Sequence, residues 1–332
     1  MRKIMYSFGG FINAFRVMPG AGIAKTLADV QELLRNPDIT FIILGSITVL
    51  QRDGNPNTQF HADPDGRYTV NSVGMANLGK VAYATKLKEI VAAVHAAGKK
   101  LIVSIAAVNS YKEYTELVQL CIDCGVDGIE LNFGCPNVLD GGTQHAIPSF
   151  DPKNLDMTLA HIQTTLGLSL TIPVWAKISP LIEDHTLIRT VQTGKEIPHE
   201  FKLNETLAKE VCEVLNKYAF IKAVICTNTI GGVRVIDEAG EPIIGPNPHN
   251  PNAAGGWAGK AIHKVSVAQT KLFKGLVNPD IDLIGAGGVE SGNDMEDFIA
   301  AGAKAVQVVS KYYTSRDAGI FSQIGGDWFM EN

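Results

Sequence analysis

The chain has 332 residues, of which 45% are hydrophobic and 19% are charged. This composition supplies enough apolar side chains for a large core and argues against a disordered protein. The formal net charge is -5, and the lysines and arginines are dispersed, so no basic surface for nucleic acid is predicted.

The sequence indicates a cytoplasmic, reduced protein without a membrane partner. No segment approaches the roughly 20 apolar residues of a membrane span, and the first residues lack the apolar stretch of a signal peptide. The five cysteines are scattered and do not suggest a disulfide framework. Cys121 and Cys124 form a CxxC pair inside a helical pattern, without a second pair at zinc spacing. We therefore predict two ordinary helix cysteines and no metal site.

Strand-like and helix-like segments alternate along the whole chain. The helical intervals show apolar stripes such as Leu87, Ile90, Val91 and Val94. Most of the strands are short and uniformly apolar, as in a parallel sheet covered on both faces. In chain order they are Ile4–Phe8, Phe41–Ile47, Leu101–Ala106, Gly128–Phe133, Val174–Ile178, Ala223–Cys226, Leu283–Ala286 and Ala305–Val309. The pattern predicts an α/β fold in which residues 1–332 form a single (β/α)8 TIM barrel; a doubly wound open sheet fits less well.

Two long segments are predicted to be irregular loop insertions, Thr48–Gly79 and Ile230–Gly259. Each begins just beyond the carboxyl end of a predicted strand. In a TIM barrel that end carries the active site, so both segments are expected to form its walls or a lid.

The string Glu130-Leu-Asn-Phe-Gly-Cys-Pro-Asn137 ends the fourth predicted strand. Pro136 removes a backbone donor and restricts Cys135 to an extended conformation. A cysteine between glycine and proline at the end of a strand is poorly placed for core packing. It is either a small apolar residue of the loop or a functional thiol.

Lys177 interrupts the apolar strand Val174–Ile178. An unpaired buried ammonium is costly, so this side chain must reach either solvent or a partner. At the carboxyl end of a barrel strand, such a partner is typically an anion or an electron-rich cofactor. Farther along the chain, Asn228 and Thr229 end the sixth strand with hydrogen-bonding groups that suit a ring with carbonyl and N–H groups.

Glycines follow the seventh predicted strand, in Ile284-Gly-Ala-Gly-Gly-Val-Glu-Ser-Gly292, and Ser310 follows the eighth. Many TIM barrels bind phosphate at this place through backbone N–H groups. The alternative is an ordinary tight turn. The glycine string does not match a dinucleotide-binding motif.

Taken together, these strings resemble the class 1 dihydroorotate dehydrogenases. The resemblance covers nearly the whole chain, and the combination of strings is more specific than any one of them. The segments that carry the resemblance are Arg52–Pro56, Asn71–Gly79, Glu130–Val138, Lys177, Asn228–Thr229, Gly255–Gly259 and Gly287–Gly288. Cys135 favours class 1, because the membrane-linked class 2 enzymes use a serine as the base.

The resemblance implies an FMN-dependent oxidoreductase that oxidises dihydroorotate to orotate, a step of pyrimidine biosynthesis. Cys135 would remove a proton from one ring carbon while hydride leaves the adjacent carbon for the flavin. The substrate-binding residues would be Asn71, Asn132, Asn137, Asn228 and Thr229. The cofactor-binding residues would be Ser46, Lys177, Gly256, Gly287, Gly288 and Ser310, with Lys177 near the flavin's pyrimidine end and the three glycines and Ser310 around the phosphate.

Three positions depart from the family pattern. Gly45 replaces a lysine that normally meets both the flavin and the substrate carboxylate. Phe8 stands where a small serine is usual near the flavin, and Val309 replaces a glycine of the phosphate loop. We expect Gly45→Lys to tighten orotate binding if the side chain fits, unless Arg52 or Lys25 already supplies the charge.

Other functions stay open at this point. The chain is either a dihydroorotate dehydrogenase, a related flavin barrel acting on another dihydropyrimidine or enone-like ring, or a non-catalytic barrel that binds flavin or a metabolite. The electron acceptor is fumarate, a quinone, or NAD through an electron-transfer partner subunit. The resemblance also leads us to expect a homodimer.

Overall fold

The computed structural model describes residues 5–13, 15–136, 139–140, 143–144, 147–195, 200–246, 250 and 252–331. Its strands, in chain order, are β1 (Tyr6–Phe8), β2 (Phe11–Asn13), β3 (Val17–Pro19), β4 (Phe41–Ile47), β5 (Phe60–Ala62), β6 (Thr69–Asn71), β7 (Lys100–Ile105), β8 (Gly128–Asn132), β9 (Leu139–Asp140), β10 (Thr143–Gln144), β11 (Val174–Ile178), β12 (Arg189–Gln192), β13 (Ile221–Cys226), β14 (Ile230–Ile236), β15 (Ala254–Ala258), β16 (Asp282–Ala286) and β17 (Ala305–Val308). Its α-helices are α1 (Leu27–Leu34), α2 (Gly79–Ala96), α3 (Lys112–Cys124), α4 (Pro152–Leu166), α5 (Glu205–Asn216), α6 (His263–Lys274), α7 (Gly292–Ala300), α8 (Ser310–Ser315) and α9 (Gly319–Glu331).

Eight parallel strands form the barrel, in the order β3-β17-β16-β13-β11-β8-β7-β4. Backbone hydrogen bonds join the two ends of this order: Gly22 N donates to Gly45 O at 2.8 Å, and Gly45 N donates to Ala24 O at 2.9 Å. The helices lie between successive strands and pack their apolar stripes against the sheet. The predicted TIM barrel is therefore confirmed, with Gly45 at its closing seam.

The first predicted strand, Ile4–Phe8, is wrong as a barrel strand. Residues Tyr6–Phe8 pair with Phe11–Asn13 in an antiparallel hairpin, and the first barrel strand is Val17–Pro19. That strand has only three residues and contains a proline, so its sequence signal is weaker than that of the apolar hairpin beside it.

The hairpin covers the amino-terminal end of the barrel. The Trp175 indole N–H donates to Gly9 O at 2.8 Å, and Gly9 N donates to the Asp282 carboxylate at 2.9 Å. Both partners lie at the start of their strands. Phe8 is fully buried there, 5.7 Å from the ring of Phe41. The expectation that Phe8 lies near a flavin is therefore wrong, because it is at the opposite end from the carboxyl face.

The two long insertions are more regular than predicted. They contribute four strands to a second, five-stranded sheet of order β12-β14-β15-β6-β5. Its own apolar cluster includes Tyr68 stacked on Trp257, with ring centroids 4.0 Å apart. Side chains from both insertions line the cavity described below, so their predicted place in its wall is confirmed.

The CxxC cysteines are also where the sequence places them. Cys121 and Cys124 are buried in α3 and belong to the apolar layer between helix and barrel. Burial raises the pKa of both thiols, so they stay protonated and behave as small apolar side chains.

Candidate active site

A cavity of about 230 Å³ opens at the carboxyl ends of the barrel strands, beneath the five-stranded sheet. It brings together most of the residues that the sequence singled out. Those that line it are Ser46, Asn71, Asn132, Cys135, Lys177, Asn228, Thr229, Gly287, Gly288 and Ser310. Asn137 lies outside the described residues, so its role in substrate binding stays a prediction.

Gly256 is the one described residue of the predicted set that does not line the cavity. It lies within β15, where its carbonyl accepts a hydrogen bond of 3.2 Å from the Asn71 side chain. Ala258 and Gly259, farther along the same segment, line the cavity instead. Gly256 pairs with Asn71 inside the sheet, and the segment lines the cavity only where β15 ends. The sequence carried no strand signal at β15, so this placement was not predictable from it.

Cys135 lies at one end of the cavity, just beyond β8. Its side chain is partly exposed and packs with the apolar group formed by Met75, Ala106 and Val108. The other four cysteines of the chain are all buried. Cys135 is thus the thiol that a ligand in the cavity can reach.

Two asparagine side chains beside the thiol are held in fixed orientations. The Asn132 carbonyl oxygen accepts from the Asn228 amide at 2.9 Å and from Gly134 N at 3.2 Å. The Asn228 carbonyl oxygen in turn accepts from Thr229 N at 2.8 Å. Each amide still has one N–H that donates to no described residue. The pair therefore offers donors to a ligand with acceptors on its edge.

The orientation of Asn132 traces back to a buried carboxylate. Its amide donates to Ser46 Oγ at 2.9 Å, and Ser46 Oγ lies 2.9 Å from Ser104 Oγ. The Ser104 hydroxyl donates to Glu130 Oε1 at 2.9 Å. Because a carboxylate only accepts, each hydroxyl must donate toward Glu130 and accept from the residue before it. Ser46 therefore belongs to this series of hydrogen bonds and also forms part of the cavity wall.

Glu130 also organises Lys177. The Gln307 amide donates to Glu130 Oε2 at 2.9 Å, and Lys177 Nζ donates to Gln307 Oε1 at 3.0 Å. The Lys177 ammonium is 3.7 Å from Glu130 Oε1, and both groups are buried. The lysine thus has a counter-ion beneath it and still lines the cavity. Glu130 and Gln307 were missed as functional residues, although both interrupt apolar strands.

We expect Glu130→Gln to lower the free energy of unfolding by about 1–3 kcal/mol, the cost of one unpaired buried donor. A glutamine at this position carries a donor on one side. Facing Gln307, this donor opposes an amide N–H or, after rotation of Gln307, the Lys177 ammonium. Facing Ser104, it reverses both serine hydroxyls and leaves the Ser46 hydroxyl without an acceptor in this network. Denaturant titration of the purified protein measures the change.

The matched control is the exchange Glu130→Gln with Gln307→Glu. The introduced glutamine then accepts from Ser104 and donates to the introduced glutamate, which accepts from Lys177, so every group is paired. Recovery of most of the lost stability supports the chain of hydrogen bonds. A double variant no more stable than Glu130→Gln alone contradicts it.

The other end of the cavity is formed by Gly287 and Gly288. Gly288 has φ +68°, and a Cβ there would lie 2.7 Å from Gly259 O, so a side chain is excluded. The amides of both glycines donate to no described residue. Nearby, Ser310 Oγ is 2.9 Å from Thr69 Oγ1. Free amides without side chains in front of them are the donors that a phosphate group needs.

A histidine supports this glycine pair from behind. His263 Nδ1 is 3.2 Å from Gly287 O, and its Nε2 is 2.9 Å from Asp297. His263, Asp294 and Asp297 place possible metal-ligating atoms within 4.8 Å of one another. Asp294, however, already pairs with Lys260 and accepts from Glu290 N and Ser291 Oγ. These contacts account for the cluster as a support for the loop.

The structure explains glycine at position 45 by backbone geometry. Gly45 has φ +118°, a conformation unfavourable for other residues, and a Cβ there would lie 2.4 Å from Ser104 O. No larger side chain fits this seam. The condition attached to Gly45→Lys is therefore not met, and a gain in orotate affinity is no longer expected from this substitution.

Of the two substitutes named for the missing charge, one reaches the cavity. Lys25 lines it, whereas Arg52 lies behind the loop after β6 and donates to Gly74 O at 2.9 Å.

No helix among the described residues combines the length and the apolar character needed to cross a membrane.

The family model described as dihydroorotate dehydrogenase matches residues 9–326. The chain is similar to the dihydroorotate dehydrogenase B (NAD(+)) catalytic subunit of Methanosarcina mazei, at 28% identity over 97% of this chain and 88% of that protein. It is also similar to the dihydroorotate dehydrogenase (fumarate) of Trypanosoma cruzi, at 29% identity over 95% of this chain and 88% of that protein. Among solved structures, DHODH from Eimeria tenella in complex with ferulenol matches with a TM-score of 0.74 at 16% identity, covering 99% of this chain and 84% of that one. That last match bears on the fold alone.

Proposed function

Because the chain belongs to the dihydroorotate dehydrogenase family, we propose that it oxidises dihydroorotate to orotate with FMN as its bound cofactor. The chain is an oxidoreductase of that family, and its substrate is a small molecule. The proposal of FMN and a thiol base is supported by the single cavity that contains both candidate binding regions. It holds a reachable thiol and oriented amides at one end, and at the other a cradle of glycine amides that donate to none of the described residues.

The residues of the cavity fit FMN. Gly287, Gly288 and Ser310 would hold the phosphate, as free amides and a hydroxyl are its usual donors. Lys177 would face the ring, because its ammonium lines the cavity and stands on Glu130. When bound, FMN would supply the acceptor for the hydride, which carries the two electrons that leave the substrate.

Cys135 would act as the general base. It would take the proton from one ring carbon while hydride leaves the adjacent carbon, so that a carbon–carbon double bond forms and charge and electrons balance. Asn132 and Asn228, joined by their 2.9 Å hydrogen bond, would fix the ring, with Asn71, Thr229 and Asn137 as further proposed partners. Amides suit this task because they neither give up nor take a proton at neutral pH.

The electron acceptor that reoxidises FMN is constrained by the redox groups that this chain can bind. Relatives named for NAD(+) and for fumarate match it to a similar degree. The cysteines of the described residues other than Cys135 are buried single thiols or the α3 pair, and no iron–sulfur centre was predicted from the spacing. Transfer to NAD would therefore need a partner subunit. A homodimer and a cytoplasmic location remain predictions.

The first experiment is the visible spectrum and flavin content of the purified protein. We expect a yellow protein with one FMN per chain, released by denaturation because it is not covalently attached. Gly288→Val should abolish that binding, since a side chain there meets Gly259 O and blocks the amides. Gly240→Val, at a surface turn with φ +87° and no atom within 4 Å of its Cβ position, is the control for backbone strain. A colourless protein that does not take up added FMN would overturn the proposal.

A further inference from the structure

Lys25 is a cation in the cavity without a carboxylate partner. It follows β3, and its Nζ donates to Ala76 O at 2.8 Å. No salt bridge joins it to a carboxylate of the described residues. The nearest acid in sequence, Asp29, instead caps α1 by accepting from the backbone amides of Lys25 and Thr26. Burial lowers the pKa of Lys25, and the charges of Cys135 and Asp29 act in the opposite direction. A half-buried ammonium in this position gains from an anionic ligand.

The loop that Lys25 contacts offers donors of its own. Gly74 and Met75 line the cavity and have φ values of +68° and +57°. The amides of these two residues donate to no described residue. Arg52 holds the loop through Gly74 O, and Asn55 N donates to Val73 O at 3.1 Å. A non-glycine residue held at positive φ beside a cavity indicates a backbone fixed for a ligand.

The other cavity lysine is already committed. Lys177 pairs with Gln307 and lies 3.7 Å from Glu130, so its charge is balanced within the barrel. Lys25 and Cys135 line the same cavity, and both lie against the loop after β6. Cys135 also packs against Met75, the neighbour of the residue that Lys25 contacts. A cation, a thiol and amides that donate to no residue in the described part of the chain therefore lie at one end of the cavity.

We propose that Lys25 binds the carboxylate of the substrate and makes the site selective for an anionic ring. The inference rests on the proposed function and specifies its substrate class. In dihydroorotate the carboxylate is attached to the carbon next to the one that loses its proton. A thiol that removes that proton therefore has the carboxylate within a few ångströms, where Lys25 and the amides of Gly74 and Met75 lie. The cation comes from the loop after β3, because the geometry of Gly45 excludes a side chain on β4.

The test is calorimetric titration of the purified flavoprotein with orotate and with its uncharged amide, orotamide. We expect Lys25→Met to raise the dissociation constant for orotate by about ten- to a hundredfold, the worth of a charge-assisted hydrogen bond. The dissociation constant for orotamide should stay the same. Lys25→Arg should retain most of the orotate affinity. Lys80→Met, which removes a lysine from an exposed ion pair with Glu116, is the control and should change neither constant.

Each other outcome has a definite meaning. If Lys25→Met weakens both ligands equally, the lysine only supports the loop through Ala76 O and the inference is overturned. If it weakens neither, another group binds the carboxylate and the inference is equally lost. In both cases orotate binding by the unmodified protein leaves the proposed function standing. A flavin-loaded protein that binds neither ligand would overturn the proposed function itself.

Discussion

Replacement of Cys135 by alanine is expected to slow reduction of the bound flavin by dihydroorotate about a hundredfold or more, the usual range for loss of a general base. The flavin content should be nearly unchanged, since the glycine cradle lies at the other end of the cavity. Alanine removes the thiol but retains the Cβ that packs with Met75 and Ala106. Stopped-flow spectroscopy under anaerobic conditions measures the rate directly.

Two further variants make this result specific. Cys135→Ser should give an intermediate rate, because a hydroxyl holds its proton much more tightly than a thiol and is a poorer base at neutral pH. Cys124→Ala changes a cysteine within α3 and should leave the rate as it is. Equal reduction rates for the unmodified protein and Cys135→Ala would exclude Cys135 as the base.

Replacement of Gly45 by lysine is expected to cost about 4 kcal/mol or more of folding free energy, or to prevent folding. The new Cβ would meet Ser104 O at 2.4 Å, and both atoms belong to the backbone of adjacent barrel strands. The same residue makes the two backbone hydrogen bonds that close the barrel. A shift of β4 would therefore open the seam, and a shift of β7 would break its pairing with β4. Thermal unfolding of the purified variants measures the loss.

A smaller change separates the clash from the properties of lysine. Gly45→Ala introduces only the Cβ and should already cause most of the loss. Gly240→Ala has a comparable φ, +87°, with open space around it, and should cost only about 1–3 kcal/mol of backbone strain. If Gly45→Lys were as stable as the unmodified protein and bound orotate more tightly, the structural explanation of Gly45 would be wrong.

Seven of the eight barrel strands were predictable because each carries its own signal. A strand such as Phe41–Ile47 is buried along its whole length, so nearly every residue in it is apolar. Val17–Pro19 lacks that signal, and its identity as a strand depends on pairing with β17. Likewise, β6 and β15 are strands because they pair with each other, a contact between segments far apart in the chain.

The residues of the candidate site also differ in whether the sequence alone could identify them. Cys135, Lys177 and Gly288 stand out in the sequence because each breaks the pattern around it, and the structure brings all three to one cavity. Glu130 and Gln307 also break their strands, yet a buried polar residue gains a role only from its partners. One partner of Glu130, Gln307, is 177 residues away in the sequence.

The sequence by itself determined the fold class and the family resemblance and singled out the candidate site residues, because these depend on local patterns of residue type. Only the tertiary structure decided that position 45 excludes a side chain, through its contact with Ser104 O, and that Lys25 lines the cavity. The physical reason is that the closing seam of the barrel and the loops around it are set by long-range backbone pairing. Long-range distances decide whether a side chain fits at position 45 and whether a lysine reaches the cavity. Local sequence patterns do not contain those distances.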